Sequence, residues 1–195
     1  ALETLQDLGV WADIPANVQA YLQQAPRSVP APNAKNILIG SNPISVSAMA
    51  KALPHATHHQ TALEGNVTKA APWIAGLPPG AHVFGGETTV TLTGTGKGGR
   101  NQDLALRVAL LAEEQGWDGD WLYLQGGTDG RDGPTDAAGG VVHQGTLAAI
   151  RAACIDPAAA LANNDAYTAL KAADALLMTG GTGTNVADLG VLIRG

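Results

Sequence analysis

Three glycine-rich segments decide what this chain can fold into: TLTGTGKGGRNQ at residues 91–102, GGTDGRDGPTDAAGG at 126–140 and TGGTGTN at 179–185. Each follows a short run that reads as a strand, and the first leads into a run with helical periodicity. Glycine lets a backbone turn tightly or approach a neighbour closely, and in α/β folds the loops at strand carboxyl ends converge on a ligand site. The pattern predicts an α/β fold, a three-layer arrangement with a mixed sheet and glycine-rich loops at strand ends.

The chain has 195 residues, enough for one good-sized domain or one domain plus part of another. Its 25 glycines sit in a sequence dominated by alanine and aliphatic residues, which is a folding composition and not a disordered one. A formal net charge of −6 argues against a general nucleic-acid or anionic-membrane surface but permits a local cationic pocket. Cys154 is the single cysteine, so it has no internal disulfide partner, and its setting AIRAACID predicts a buried, inert thiol. No apolar run approaches the ~18 residues of a membrane span, and no basic start precedes an apolar stretch. The expected location is cytoplasmic. The chain opens at Ala1, directly on a helix-like segment without a capping residue, and so reads as the interior of a longer protein.

Along the chain, the spacing predicts short helices over 2–11 and 14–22, then an extended connector, QQAPRSVPAPNAK, at 23–35. A strand at 37–39, a turn at 40–43 and a helix from about Ile44 give half of a βα unit. A helix is expected over 64–74, and GLPPG at 76–80 breaks the pattern. Strands are expected at 81–84 and 88–93, separated by Gly85, Gly86 and Glu87. The clearest helix runs over 101–115, with Leu104, Ala105, Val108, Leu111 and Ala112 on one face and Gly116 as its stop. A strand at 121–124 comes next, then helices near 146–153 and 165–173 with a start at Asp156–Pro157 between them, and finally strand, loop and strand.

The first loop has the makings of an anion site. Gly96, Gly98 and Gly99 free the backbone, the helix beginning at Asn101 presents unpaired N–H groups, and Lys97 and Arg100 add charge. It is neither a Walker A loop nor a dinucleotide fingerprint, and a tight strand-to-helix turn with two solvated bases accounts for the same residues. The second loop holds Asp129, Asp132 and Asp136, carboxylates suited to orienting Mg²⁺ or accepting hydrogen bonds from hydroxyls, although Asx turns explain them equally. Asp136 is expected to cap an element beginning at Ala137. In the third loop the hydroxyls of Thr182 and Thr184, with Asn185, can hold a carboxylate or phosphate. Glu87 is placed to face the same pocket. His55, His58 and His59 lack a zinc spacing and read as a solvated segment.

The strings GGETTVTLTGTGKGGRNQDLAL, GTDGRDGPTDAAGG, NNDAY and TGGTGTNVADL, in that order, make the chain resemble the C-terminal part of the glycerate 2-kinase family, whose C-terminal region is called the MOFRL domain and whose older label is hydroxypyruvate reductase. The resemblance covers residues 81–192 firmly and makes 81–195 a MOFRL-like domain. Residues 1–80 are similar more loosely to the family's middle section, part of a Rossmann-like partner domain. Gly181 stands where the family has proline, and EGNV at 64–67 departs from the family's GEA. The family's N-terminal half, with its SGGGSA stretch and a lysine implicated in catalysis, has no counterpart here.

The resemblance implies ATP and Mg²⁺, and phosphorylation of D-glycerate at its 2-hydroxyl in a cleft between two halves. It implies that Arg100 with Lys97 stabilises the transferring group and that Asp129 or Asp132 positions Mg²⁺ or substrate hydroxyls. Glu87, Gly96, Gly98, Gly99, Asn101, Thr182, Thr184 and Asn185 would line the pocket. Two readings compete: an NAD(P)H-dependent hydroxypyruvate reductase, and an inactive fragment or ligand-binding or assembly module. Homo-oligomerisation is left open.

Overall fold

The computed structural model describes residues 2–24 and 33–195; the connector's prolines, Pro26, Pro30 and Pro32, lie outside the described residues. The chain divides into two compact units, 1–38 and 39–195. In the first, α1 (Leu2–Asp7) and α2 (Ala16–Gln24) flank a single 3₁₀ turn, Trp11–Asp13. Gly9, at φ +71°, ends the first helix, and the Gln19 amide ties the turn to α2 by donating to the carbonyls of Trp11 and Ile14. Neither helix buries a residue.

The second unit is built on an open mixed sheet of β1 (Thr57–His58), β2 (Leu63–Asn66), β3 (Gly80–Thr89), β4 (Trp121–Gly127), β5 (Gly139–His143), β6 (Leu176–Leu177) and β7 (Asp188–Arg194). The order is β1-β3-β7-β4-β5-β6, and β2 lies parallel to the far part of β3 as the continuation of an interrupted edge. From β3 onward every neighbouring pair is antiparallel. The helices are α3 (Asn42–Ala52), α4 (Val67–Ala75), α5 (Arg100–Glu114), α6 (Thr146–Ala152), α7 (Pro157–Ala162) and α8 (Ala166–Ala172). Residues of α4 to α8 join Phe84, Tyr123 and Leu192 in one core, so these helices cover one face of the sheet. The side of β3 that carries Gly85 meets α3 instead: a Cβ on Gly85 would stand 2.6 Å from Val46.

The fold is the mixed α/β arrangement that the loops predicted, with several local corrections. Residues 80–89 form one strand where two were expected, because Gly85 and Gly86 serve close packing and not a break. A Cβ on Gly86 would fall 2.2 Å from the Leu63 carbonyl oxygen of β2. Beyond Thr89 the chain leaves the sheet. Residues 37–39 form no strand, and Ile37, Leu38 and Ile39 are exposed. The helix expected from residue 64 begins at Val67, since Leu63–Asn66 pairs with β3 and Asn66 then caps α4 by accepting from the Thr68 N–H. Strand β5 escaped notice behind the glycines of AAGGVVH; those glycines let β5 press against β4 and α5. Cys154 is exposed, in the left-handed turn after α6 at φ +60°. No helix starts at Ala137, and Asp136 accepts from the Tyr167 hydroxyl at 2.8 Å instead.

Candidate functional site

Arg100 is the first residue of α5, and the residue before it is a glycine with no side chain to cap the helix. The cap comes from the second loop. Asp132 accepts from the N–H groups of Asn101 at 3.1 Å and Gln102 at 2.8 Å, one with each carboxylate oxygen, satisfying two of the helix's orphan donors. Gly99 is required by this arrangement: its Cβ would stand 2.3 Å from the Asp132 carboxyl carbon. Burial pushes the Asp132 carboxyl up to about 6, against the pull of the two N–H bonds.

The Arg100 guanidinium forms a fork on Asp188 at the start of β7, with Nε to Oδ2 at 2.7 Å and Nη2 to Oδ1 at 2.9 Å. Nη2 also lies 3.2 Å from Glu87 on β3. The two carboxylates differ in kind, since the Asp188 side chain is 1% exposed and that of Glu87 is 62% exposed. The hydrogen bonds to Asp188 hold the Arg100 cation above its ordinary range. Asn101, fully buried, donates from Nδ2 to both Asp132 and Asp188 and so joins the helix cap to the ion pair.

The glycine loop preceding α5 is held by the chain itself. Thr93 and Gly94 donate their N–H groups to the Asn164 side chain, Thr95 to the Asn163 side chain, Gly96 to the Asn163 carbonyl and Lys97 to the Asp165 carboxylate. A Cβ on Gly94 or Gly96 would fall 2.4 Å from this NND segment, while one on Gly98 would stand 3.3 Å from the Asn164 carbonyl oxygen. The Lys97 ammonium lies 4.2 Å over the Tyr167 ring, so the two bases of the loop are held by different partners.

The second and third loops are stitched together. The Thr128 hydroxyl donates to the Ala187 carbonyl and accepts from the Val186 N–H, while Thr182 donates to the Thr128 carbonyl. The Thr182 hydroxyl accepts from the Thr184 N–H, and Asn185 accepts from the Ala187 N–H. Asp129 is exposed and turns back on the Arg131 N–H at 3.0 Å. Among the described residues, no group of three or more His, Cys, Asp or Glu stands close enough to hold a metal ion. Asp132 is occupied by N–H donors, so only a cation already carried on phosphate oxygens, which needs one or two carboxylates from the protein, suits this set.

Beside the Arg100–Glu87 pair opens a cleft of about 520 Å³, lined by Asn42, His58, His59, Glu64, Glu87 and Ala187 among others. Asn42, at the start of α3, donates to the carbonyls of Val186 and Asp188 at 2.8 Å each, pinning that helix to the beginning of β7. Two of the histidines are less solvated than expected. His59 approaches His82 at 3.1 Å, and burial, with the neighbouring His82 second, lowers its pKa.

Sequence reasoning gave no site role to Asp188, to Gln125 or to the NND segment, although NNDAY and TGGTGTNVADL carry the family resemblance. Asp188 and Gln125 each carry a signal: a polar residue on the alternating face of a strand whose other members, Leu192 and Tyr123, are core.

The MOFRL family model matches residues 80–188. The chain belongs to the MOFRL family. The matched region spans β3, α5, both later loops and the start of β7, and so contains Glu87, Arg100, Asp132 and Asp188. A D-glycerate 2-kinase of Thermotoga maritima is 54% identical to this MOFRL chain over 57% of it and 26% of the relative. A glycerate 2-kinase of Pyrococcus horikoshii is 36% identical over 99% of this chain and 48% of its own length. The crystal structure of a Thermotoga maritima glycerate kinase superposes with a TM-score of 0.83 and 36% identity, covering 100% of this chain and 50% of that one. The chain thus spans about half the length of the relatives that match it throughout. No described helix is long and apolar enough to cross a membrane.

Proposed function

We propose that this chain supplies the C-terminal portion of a glycerate 2-kinase, which transfers the γ-phosphoryl group of ATP to the 2-hydroxyl of D-glycerate. One observation carries the reading: the Arg100 cation is aimed by a buried carboxylate but guarded by an exposed one. Asp188 holds Nε and Nη2 from below, and Glu87 is the partner an incoming phosphoryl oxygen would displace. Exposed ion pairs contribute only about 0–1 kcal/mol, so the exchange costs little, whereas a buried fork resists removal. Phosphoryl transfer needs charge neutralisation and alignment more than covalent help, and Arg100 supplies both.

Lys97, exposed on the Tyr167 ring, adds positive charge at the loop's rim. Gly98, Gly99 and Asn101 shape the approach to the guanidinium; Gly96 holds the loop on the NND segment. Thr182, Thr184 and Asn185, exposed on the third loop, face the nucleotide or glycerate oxygens. Asp129 is the carboxylate free to meet Mg²⁺ carried on the nucleotide, which would neutralise phosphate charge, and Asp132 keeps to capping α5. The kinase names of the relatives support this reading over the reductase. Phosphorus NMR of the full gene product carrying this sequence, with Mg²⁺, ATP and D-glycerate, tests it. A growing 2-phosphoglycerate resonance is expected; folded protein that forms no phosphorylated product, with or without NADH consumption on hydroxypyruvate, refutes it.

A further inference from the structure

A line of buried polar groups runs from the middle of the sheet to Arg100, and nothing in phosphoryl transfer itself requires it. Tyr123 and Gln125 lie two residues apart on β4, so both point to the face covered by α5. The Tyr123 hydroxyl donates to Gln125 Oε1 at 2.9 Å, and Gln125 Nε2 donates to Asn101 Oδ1 at 3.0 Å. Asn101 Nδ2 then donates to Asp132 Oδ1 and Asp188 Oδ1, at 3.2 Å and 3.1 Å. Tyr123 and Asn101 are fully buried, and Gln125, Asp132 and Asp188 are at most 2% exposed.

The direction of every bond is fixed by the two carboxylates at the end. Ionised carboxylates accept only, so Asn101 presents its amide N–H groups to them and its oxygen to β4. That oxygen needs a donor, which Gln125 provides, and the Gln125 oxygen needs another, which Tyr123 provides. Each amide therefore has a single orientation. The fold keeps room for this line: Gly190 on β7 pairs with Gln125, and a Cβ there would stand 2.6 Å from Gln125 Oε1.

We propose that Gln125 is a positioning residue for Arg100, acting through Asn101 and Asp188. Asp188 Oδ1 receives two donors, Arg100 Nη2 and Asn101 Nδ2, so the plane of the carboxylate that aims the guanidinium is set by Asn101, and Asn101 is set by Gln125. The consequence for turnover rests on the kinase reading; the consequence for Arg100 does not.

The test uses the full gene product and two variants. Gln125→Met keeps the side-chain length but leaves Asn101 Oδ1 without its donor. Gln125→Glu offers Asn101 a donor only when protonated, since an ionised carboxylate would set an acceptor against an acceptor. The readouts are hydrogen exchange of the Arg100 Nε–H by nitrogen-15 NMR, assigned by its loss in Arg100→Lys, and 2-phosphoglycerate formation at each pH as a ratio to wild type. The ratio removes the pH dependence that both proteins share, including that of Asp132 beside Asp188 and Arg100, while Tyr123 faces position 125 itself.

Gln125→Met is expected to speed Nε–H exchange about tenfold or more and to lower kcat about tenfold to a hundredfold, with KM little changed. Gln125→Glu is expected to recover toward wild type as pH falls from 8 to 5.5, a signature that simple loss of packing does not produce. Unchanged Nε–H exchange in Gln125→Met, or a ratio in Gln125→Glu that stays low at every pH, overturns the assignment. If Gln125→Met does not fold, the pH ratio of Gln125→Glu decides. Wild type that makes no 2-phosphoglycerate while Nε–H exchange tracks the variants would refute the kinase and leave the positioning role standing.

Discussion

Asp188 and Glu87 touch the same nitrogen of Arg100, and replacing each by its amide isolates what burial adds to an ion pair. In Asp188→Asn the side chain keeps its size but loses its charge, and its NH₂ group faces donors from Arg100 or Asn101. Removing one partner of a buried pair costs about 3–5 kcal/mol because the other charge is left uncompensated. The Arg100 side chain is 32% exposed and can recover some solvation, which lowers the expectation to roughly 2–3 kcal/mol. For a folded unit spanning residues 39–195, that corresponds to a fall in Tm of about 5–10 °C. Glu87→Gln, on an exposed partner, should cost at most about 1 kcal/mol and shift Tm by no more than about 3 °C. Thermal unfolding by circular dichroism at pH 7, with urea midpoints as a second measure, gives both numbers. Equal shifts in the two variants, or a change below about 2 °C in Asp188→Asn, would show that burial of Asp188 is not what secures the guanidinium.

The same geometry sets three further outcomes. Gly99→Ala drives a methyl into Asp132 and should remove the α5 cap, lowering stability by about 1–3 kcal/mol in urea unfolding; a neutral result would mean the cap is dispensable. Asp132 titrates near 6 when folded against an ordinary 3.8, so between these values the folded state holds a proton that the unfolded state has lost. Its contribution therefore favours folding below pH 4 and is lost as pH rises to 6, by up to about 3 kcal/mol, so in Asp132→Asn stability should fall less, or rise more, with pH across that window. Ala187 holds φ +63° beside Asp188, and the strain relieved in Ala187→Gly should exceed the freedom glycine adds to the unfolded chain, raising stability by up to about 1 kcal/mol; a lower Tm on thermal unfolding would refute this.

What the sequence shows well is local: the periodicity of α5, its Gly116 stop, the Asp156–Pro157 start of α7 and the turn chemistry of the loops all depend on residues close together. What it hides depends on register. Phe84, Gly190 and Gln125 form one row across β3, β7 and β4, and Gly86, Asp188 and Gly127 form another, which brings Asp188 between two glycines at the end of the sheet. No spacing along the chain reveals those rows. The same is true of Asp132, a candidate in DGRDG for Mg²⁺ or substrate hydroxyls, since nothing along the chain shows that its carboxylate sits under α5. β3 failed for a related reason, because a glycine pair that permits close packing has the same letters as one that makes a turn.

The glycine loop shows how an anion motif and a structural motif come to share a sequence. Successive N–H groups freed by glycine need acceptors, and a phosphate is one way to provide them. Here Asn163, Asn164 and Asp165 provide them from nearly seventy residues away. That makes the loop a rigid mount, and the site's positive charge is left to a side chain. The side chain is in turn surrounded by carboxylates, with Asp188 bonded, Glu87 paired and Asp132 close enough to raise its pKa. An anion can enter such a site only by exchange, and the exposed Glu87 is the one carboxylate of the three whose departure leaves no buried charge unpaired. On the proposed kinase reading, selectivity then lies in what can outcompete a carboxylate for the Arg100 fork, a demand that a phosphoryl oxygen carrying more than one charge meets better than another carboxylate does.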